Sequence, residues 1–224
     1  MKNKQPDILT FKAENFVDGS SIMIRDLIAD LLAKNDKINI ALSGGNSPLP
    51  IYNKLGKFDL PWDRVKFFIV DERCVSEDSE ENNFYNISNC FFNFISSEKF
   101  PVVKDNLKFE KAASNYQEII KQHVESVNGT PRFHLIILGM GMDGHTASLF
   151  PNTKAVKNSK NLVVLNSVPQ LNTKRITMTY PLILNAQKIV LLINGEEKKN
   201  VFESAFKTKL PISKITSYID LVLN

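Results

Sequence analysis

The sequence predicts an α/β protein: a single domain, residues 1–224, with a mostly parallel sheet and helices on both faces. Three observations predict it. Short apolar runs rich in Val, Ile, Leu and Phe alternate with helical patterns. Each run stops at a Gly-rich or polar segment, as strands buried on both faces of a parallel sheet do. Finally, 224 residues with 43% hydrophobic and 23% charged content suffice for one well-buried core but are short for two full domains.

In chain order, the first helix covers residues 21–34, where Ile24, Leu27, Ile28, Leu31 and Leu32 fall on one stripe. Four runs read as buried strands: Ile38–Leu42 and residues 65–70, 133–138 and 189–193. Helical patterns occupy residues 49–55, 83–94, 111–127 and 196–206, and residues 162–164 and 176–179 add two further strands. The β-α-β-α alternation implies a Rossmann-like sheet. Ligands of such sheets bind beyond the carboxyl ends of the strands, so the segments after Leu42, Val70, Leu138 and Ile193 are the places to look.

Composition narrows the partners. The net charge of +4 suits small anions, but the basic residues are scattered; Lys198-Lys199 and Lys207 with Lys209 are the densest groups, which argues against nucleic acid. Cys74 and Cys90 make neither a disulfide framework nor a CxxC pair. The start, Met1-Lys2-Asn3-Lys4, has no apolar stretch behind it, and no apolar run approaches the ~20 residues that span a bilayer. A cytoplasmic protein without a membrane partner is expected, as a monomer or weak homo-oligomer. The His and Cys residues show no metal-ligand spacing. No Gly-x-Ser-x-Gly elbow exists, and Ser148 is expected on a helix following His145.

At the first strand end, Ser43-Gly44-Gly45-Asn46-Ser47-Pro48 joins two glycines to a proline suited to a helix start. Backbone N–H groups there favour an anion such as phosphate, with Ser43, Asn46 and Ser47 as side-chain donors; an ordinary strand–turn–helix connection is the other reading. At the second, Asp71-Glu72-Arg73 offers an arginine for phosphate beside carboxylates, or else a solvated loop with a local ion pair. The third runs from Gly139 to Pro151 and sets Asp143 and His145 on either side of Gly144. A carboxylate beside an imidazole fixes its tautomer and raises its basicity. Of the other histidines, His123 reads as a solvated helix residue and His134 as a hydrogen-bonded strand residue. At the fourth, Gly195 breaks the strand, Glu196 and Glu197 suit a helix start, and Lys198 is a second cation for phosphate or part of a solvated face.

Together these segments resemble the 6-phosphogluconolactonase family, a branch of the group that includes glucosamine-6-phosphate deaminases. The resemblance is carried by residues 43–48, 70–73, 139–151, 175–179 and 195–198, and Asp-Gly-His-Thr-Ala-Ser-Leu-Phe-Pro from Asp143 to Pro151 is its most specific part. Asn46-Ser47 stands where the family usually has Ser-Thr, and His134 where it often has Asp. The resemblance implies hydrolysis of 6-phospho-D-glucono-1,5-lactone in the pentose phosphate pathway, with no metal or organic cofactor. It implies that His145 activates water, and that the Gly44–Ser47 loop, Arg73 and either Lys198 or Arg175 hold the phosphate. The alternative is an isomerase or deaminase of an amino-sugar phosphate with Asp71 as base. Thr146-Ala147-Ser148-Leu149-Phe150-Pro151 argues against it, since deaminases continue there with Ile-Ala-Phe-Asn-Glu-Pro. A non-catalytic sugar-phosphate sensor is a third reading, against which the presence of His145 counts.

Overall fold

The computed structural model describes residues 5–104, 108–205 and 207–224. The basic start at Lys2 and Lys4 and the predicted helix end at Phe206 lie outside the described residues. In chain order the elements are β1 (Asp7–Leu9), α1 (Phe16–Leu32), β2 (Ile38–Leu42), α2 (Pro48–Leu55), β3 (Val65–Ile69), β4 (Asp71–Arg73), α3 (Asn83–Cys90), β5 (Glu98–Phe100), α4 (Phe109–His123), β6 (Ser126–Val127), β7 (Thr130–Pro131), β8 (Leu135–Gly139), β9 (Val163–Val168), β10 (Thr173–Met178), α5 (Tyr180–Leu184), β11 (Lys188–Leu192), α6 (Glu196–Ala205) and β12 (Leu221–Leu223).

Seven strands form one sheet in the order β1-β12-β11-β8-β2-β3-β5, and every neighbouring pair is parallel. All five residues of β2 are buried, as are four of five in β8 and in β11, so both faces are covered. This is the reason their sequences run apolar without alternation. From β2 the chain adds β3 and β5 outward on one side, then returns to place β8 on the other side of β2, followed by β11 and β12. The loops after β2 and β8 therefore diverge at a switch point, where a crevice opens above the sheet. Beneath β3, Phe67 sits within 5.3–6.0 Å, ring centre to ring centre, of Trp62, Phe91 and Phe92.

Val70 is where the chain leaves this sheet. Its N–H donates to Leu42 O and its carbonyl accepts from Met178 N. Beyond it, β4 enters a second, antiparallel sheet of order β4-β10-β9. The strands expected at residues 162–164 and 176–179 belong to this sheet, and Asp71-Glu72-Arg73 is a strand rather than a loop.

Other differences have local causes. α1 begins at Phe16, ahead of the predicted 21, because Gly19 and the polar residues around it mask its first turns. α3 stops at Cys90, and residues 92–94 form a single 3-10 turn. α4 stops at His123, not 127. Residues 126–131 form a hairpin whose turn, Asn128-Gly129, has φ of 54° and 78°, the left-handed pair a tight hairpin requires. His123 is not solvated: its ring lies 4.5 Å from that of Phe100 and it is half-buried. Ser148 is not helical: Thr146 and Leu149 bridge across a tight turn in which Ala147 has φ of 51°. Among the described residues no helix is long and apolar enough to cross a membrane.

His134 lies just before β8, where its Nδ1 accepts from Asn39 N at 3.0 Å and its N–H donates to Asn39 O. Burial lowers its pKa below the ordinary imidazole value. Its folded-state pKa is thus depressed, so its contribution to stability is present above the unfolded value of about 6.5 and is lost as pH falls through the folded one. Asn at 134 keeps an acceptor and cannot titrate. Urea unfolding between pH 7.5 and 5 should therefore fall less steeply with pH in His134→Asn than in the parent; identical pH slopes would contradict this.

Candidate active site

A cleft of about 540 Å³ opens over the switch point. Ser43, Gly44, Gly45, Asn46 and Ser47 from the loop after β2 line it, with Asp71 and Arg73 from β4, Asp143 and His145 from the loop after β8, Arg175 from β10 and Lys198 from α6. All eleven residues selected from the sequence thus share one cavity. Asn83, Ser148, Phe150, Met142 and Leu171 also line it and were not selected.

The first loop is held from below by Tyr52, whose hydroxyl donates to Ser43 O at 2.9 Å. Ser43 itself is buried and its Oγ has no protein partner. α2 does start at Pro48, as expected, but Pro48 and Pro50 both lack an N–H, so two of the first three helical residues offer no donor. Backbone donors for an anion must therefore come mainly from residues 44–47.

Arg73 and Arg175 are direct partners in the β4–β10 register, which sets two guanidinium groups side by side. The Arg73 Nη1 donates to Glu81 O at 2.8 Å and to Asn83 Oδ1. Among the described residues, these two contacts rather than an ion pair to Asp71 or Glu72 shape the loop around Arg73. Arg175 is half-buried and its Nε has no partner in the protein. Burial, and then the positive charge of Arg73, lower its pKa. Two desolvated like charges raise each other's energy, and a bound anion relieves that repulsion. Lys198 faces the same cleft, whereas Lys199 pairs with Glu196 at 3.7 Å.

Glu72 points away from the cleft and is fully buried. Its carboxylate accepts from the backbone N–H groups of Arg73 (2.8 Å), Asn83 (2.7 Å) and Phe84 (2.9 Å), tying β4 to the start of α3.

On the opposite wall, the loop after β8 folds back on itself. Gly141 N donates to His145 O at 2.9 Å, Gly144 N to Gly141 O at 3.0 Å, and the Thr146 hydroxyl to Gly139 O at 2.9 Å. The imidazole lies so close to Gly141 that any Cβ there would collide with it, which is why that position is glycine. Asp143 Oδ1 contacts His145 Nδ1 at 2.5 Å and accepts from its backbone N–H at 3.1 Å. The ring also stacks on Phe150, 4.0 Å between centres. With Nδ1 engaged by a carboxylate, Nε2 is the nitrogen left to accept a proton. The buried Ser148 hydroxyl donates to Asp71 Oδ2 at 2.5 Å and joins this wall to β4. Among the described residues no three His, Cys, Asp or Glu side chains form a metal-binding group.

Fold and cleft define a parallel α/β protein with an anion-receptive crevice and an Asp–His pair at its switch point. Residues 12–222 match the family described as glucosamine-6-phosphate isomerases/6-phosphogluconolactonase. Among similar proteins, 6-phosphogluconolactonase of Thermotoga maritima is 37% identical over 88% of both chains, and that of Helicobacter pylori strain J99 is 32% identical over 91% of this chain and 88% of its own. The crystal structure of the Thermotoga maritima 6-phosphogluconolactonase superposes with a TM-score of 0.85 over 97% of this chain and 98% of its own, at 32% identity. The chain belongs to the glucosamine-6-phosphate isomerase/6-phosphogluconolactonase family.

Burial pushes the Glu72 carboxyl from its ordinary value up to about 7; the N–H groups of Asn83, Phe84 and Arg73 hold it back, and neighbouring Asp71 adds to the rise. A carbon-13 NMR titration of the glutamate carboxyls should find one resonance titrating near this pH, absent from Glu72→Gln. A spectrum in which every glutamate titrates at about 4 to 5 would contradict the assignment.

Proposed function

We propose that the protein hydrolyses 6-phospho-D-glucono-1,5-lactone to 6-phosphogluconate in the pentose phosphate pathway, with His145 as general base. The observation that carries the reading is the 2.5 Å Asp143–His145 pair facing, across one cleft, the Arg73–Arg175 pair, the Gly44–Ser47 loop and Lys198. The likeness to lactonases of other organisms over most of the chain supports the substrate class. Two free cysteines fit a reducing, cytoplasmic setting.

The lactone carbonyl is electrophilic but uncharged, so water attacks it slowly. Neutral His145 takes a proton from the attacking water through Nε2, while Asp143 holds Nδ1–H and stabilises the imidazolium that forms. The charge growing on the carbonyl oxygen is met by backbone N–H groups of the glycine-rich loops or by Arg175. The proton then passes from His145 to the ring oxygen as the C–O bond breaks, and the lactone opens. The phosphate, held at the far end by the 44–47 loop and the cations, fixes the carbonyl against the water. Asp71 has one oxygen occupied by Ser148, and its other is available for a sugar hydroxyl.

Purified protein should accelerate hydrolysis of the phosphorylated lactone well above its spontaneous rate with chelator present, and should release no ammonia from glucosamine 6-phosphate. Ammonia release without lactone hydrolysis would move the protein to the deaminase branch. His145→Asn should lower kcat by roughly 10²–10⁴, about 3–5 kcal/mol of barrier; an Asn variant with parental kcat would remove His145 from the mechanism. Arg73→Ala should reduce the preference for phosphorylated over unphosphorylated gluconolactone by about 10- to 150-fold. Equal loss on both substrates, with circular dichroism unchanged, would make Arg73 a loop-shaping residue instead.

A further inference from the structure

We infer that Asn83 is a positioning residue that orients the Arg73 guanidinium and seats it against the first glycine-rich loop. The inference rests on the phosphate role proposed above for Arg73. Asn83 opens α3 and is only 3% exposed. Its backbone N–H donates to Glu72 Oε1 at 2.7 Å, its Nδ2 donates to Asp71 O at 2.7 Å, and its Oδ1 accepts from Arg73 Nη1. Its Cβ, Cγ and Oδ1 also occupy the space that a Cβ on Gly44 would need. One amide therefore touches the loop after β2, the backbone of β4 and the cation on β4.

The side chain is not needed to start the helix. Asn82 is the cap, its Oδ1 accepting from Tyr85 N at 2.9 Å. The contacts of the Asn83 amide are instead directed at the cleft. They use both ends of the amide for partners of opposite polarity, oxygen towards a guanidinium and nitrogen towards a carbonyl. Aspartate would set a second oxygen against Asp71 O, and alanine would supply neither contact. Without this acceptor the guanidinium keeps, among the described residues, Glu81 O on an exposed segment, and can swing towards the neighbouring hollow lined by Glu80 and Glu81. A long cation held by one bond instead of two is less well oriented for a phosphate.

The test is a double-mutant cycle between Asn83→Ala and Arg73→Ala, read as KM and kcat for the phosphorylated lactone and as the calorimetric dissociation constant of inorganic phosphate. Each single variant should raise KM and the phosphate dissociation constant by about 10-fold or more, with the smaller effect on kcat. The double variant should fall within about 3-fold of Arg73→Ala alone, because Asn83 acts through Arg73. Fully multiplicative losses, or an Asn83→Ala that lowers kcat with KM unchanged, would overturn the inference. A second cycle guards against misfolding. Gly44→Ala should lower the melting temperature of the parent and lower it much less in the Asn83→Ala background, since the two closest atoms, Oδ1 and Cγ, are then gone and only the Cβ remains; equal losses would overturn the contact. The phosphate titration needs no reaction, so a parent that hydrolyses no lactone would overturn the proposed function while this cycle still decides the role of Asn83.

Discussion

Between β2 and β8 the chain reverses the direction in which it adds strands, and the cleft exists because of that reversal. Ile40, Ala41 and Leu42 pair in register with Leu135, Ile136 and Ile137, and Ser43 N then donates to Ile137 O as the strands end. Past that bond the two loops part, one towards α2 and the other into the turn that carries His145. The pairing is buried on both faces and central in the sheet, so the distance between the first glycine-rich loop and the Asp143–His145 pair is set by the least deformable part of the molecule.

The third wall has a different origin. At Val70 the chain crosses from the parallel sheet into the antiparallel one, and the register of β4 with β10 sets Arg73 beside Arg175. Two half-desolvated cations in adjacent positions oppose folding unless their field is used. Here they are partly offset by backbone carbonyls, by the Asn83 amide and by nearby carboxylates. Buried Glu72 does not reach them directly. It gathers the N–H groups of Arg73, Asn83 and Phe84, and so fixes the backbone from which the cation projects. Both arginines line the cleft, where an anionic substrate would meet them.

The parts of this architecture legible in the sequence are those that local patterns encode. The strands β2, β3, β8 and β11 are mostly apolar runs, broken inside only by Asn39 and Lys66, and the glycines and charges beyond their ends mark the cleft. The short strands β1, β5 and β12 are three residues each and include Asp7, Glu98 and Lys99, so pairing with distant partners creates them, not propensity. The sequence predicts a longer α4 because helical periodicity runs on past His123, although Asn128-Gly129 carries a hairpin signal. In the cleft, the glycine-rich loops and the charges at strand ends stand out in the sequence, whereas Asn83 and Ser148 do not. Asn83 follows Asn82 and reads as part of a helix cap, and Ser148 reads as helical. The roles they have depend on Arg73, Asp71 and Gly44, brought to them only by the fold.

The proposed binding geometry is directional: phosphate at the Arg73–Arg175 end of the cleft, reacting carbon at His145. A crystal structure with 6-phosphogluconate bound tests it most directly. The phosphate should lie within hydrogen-bond distance of Arg73 and the 44–47 loop, and the C1 carboxylate at about 2.6–3.2 Å from His145 Nε2. A product bound in the reverse orientation, with its phosphate against His145, would contradict it.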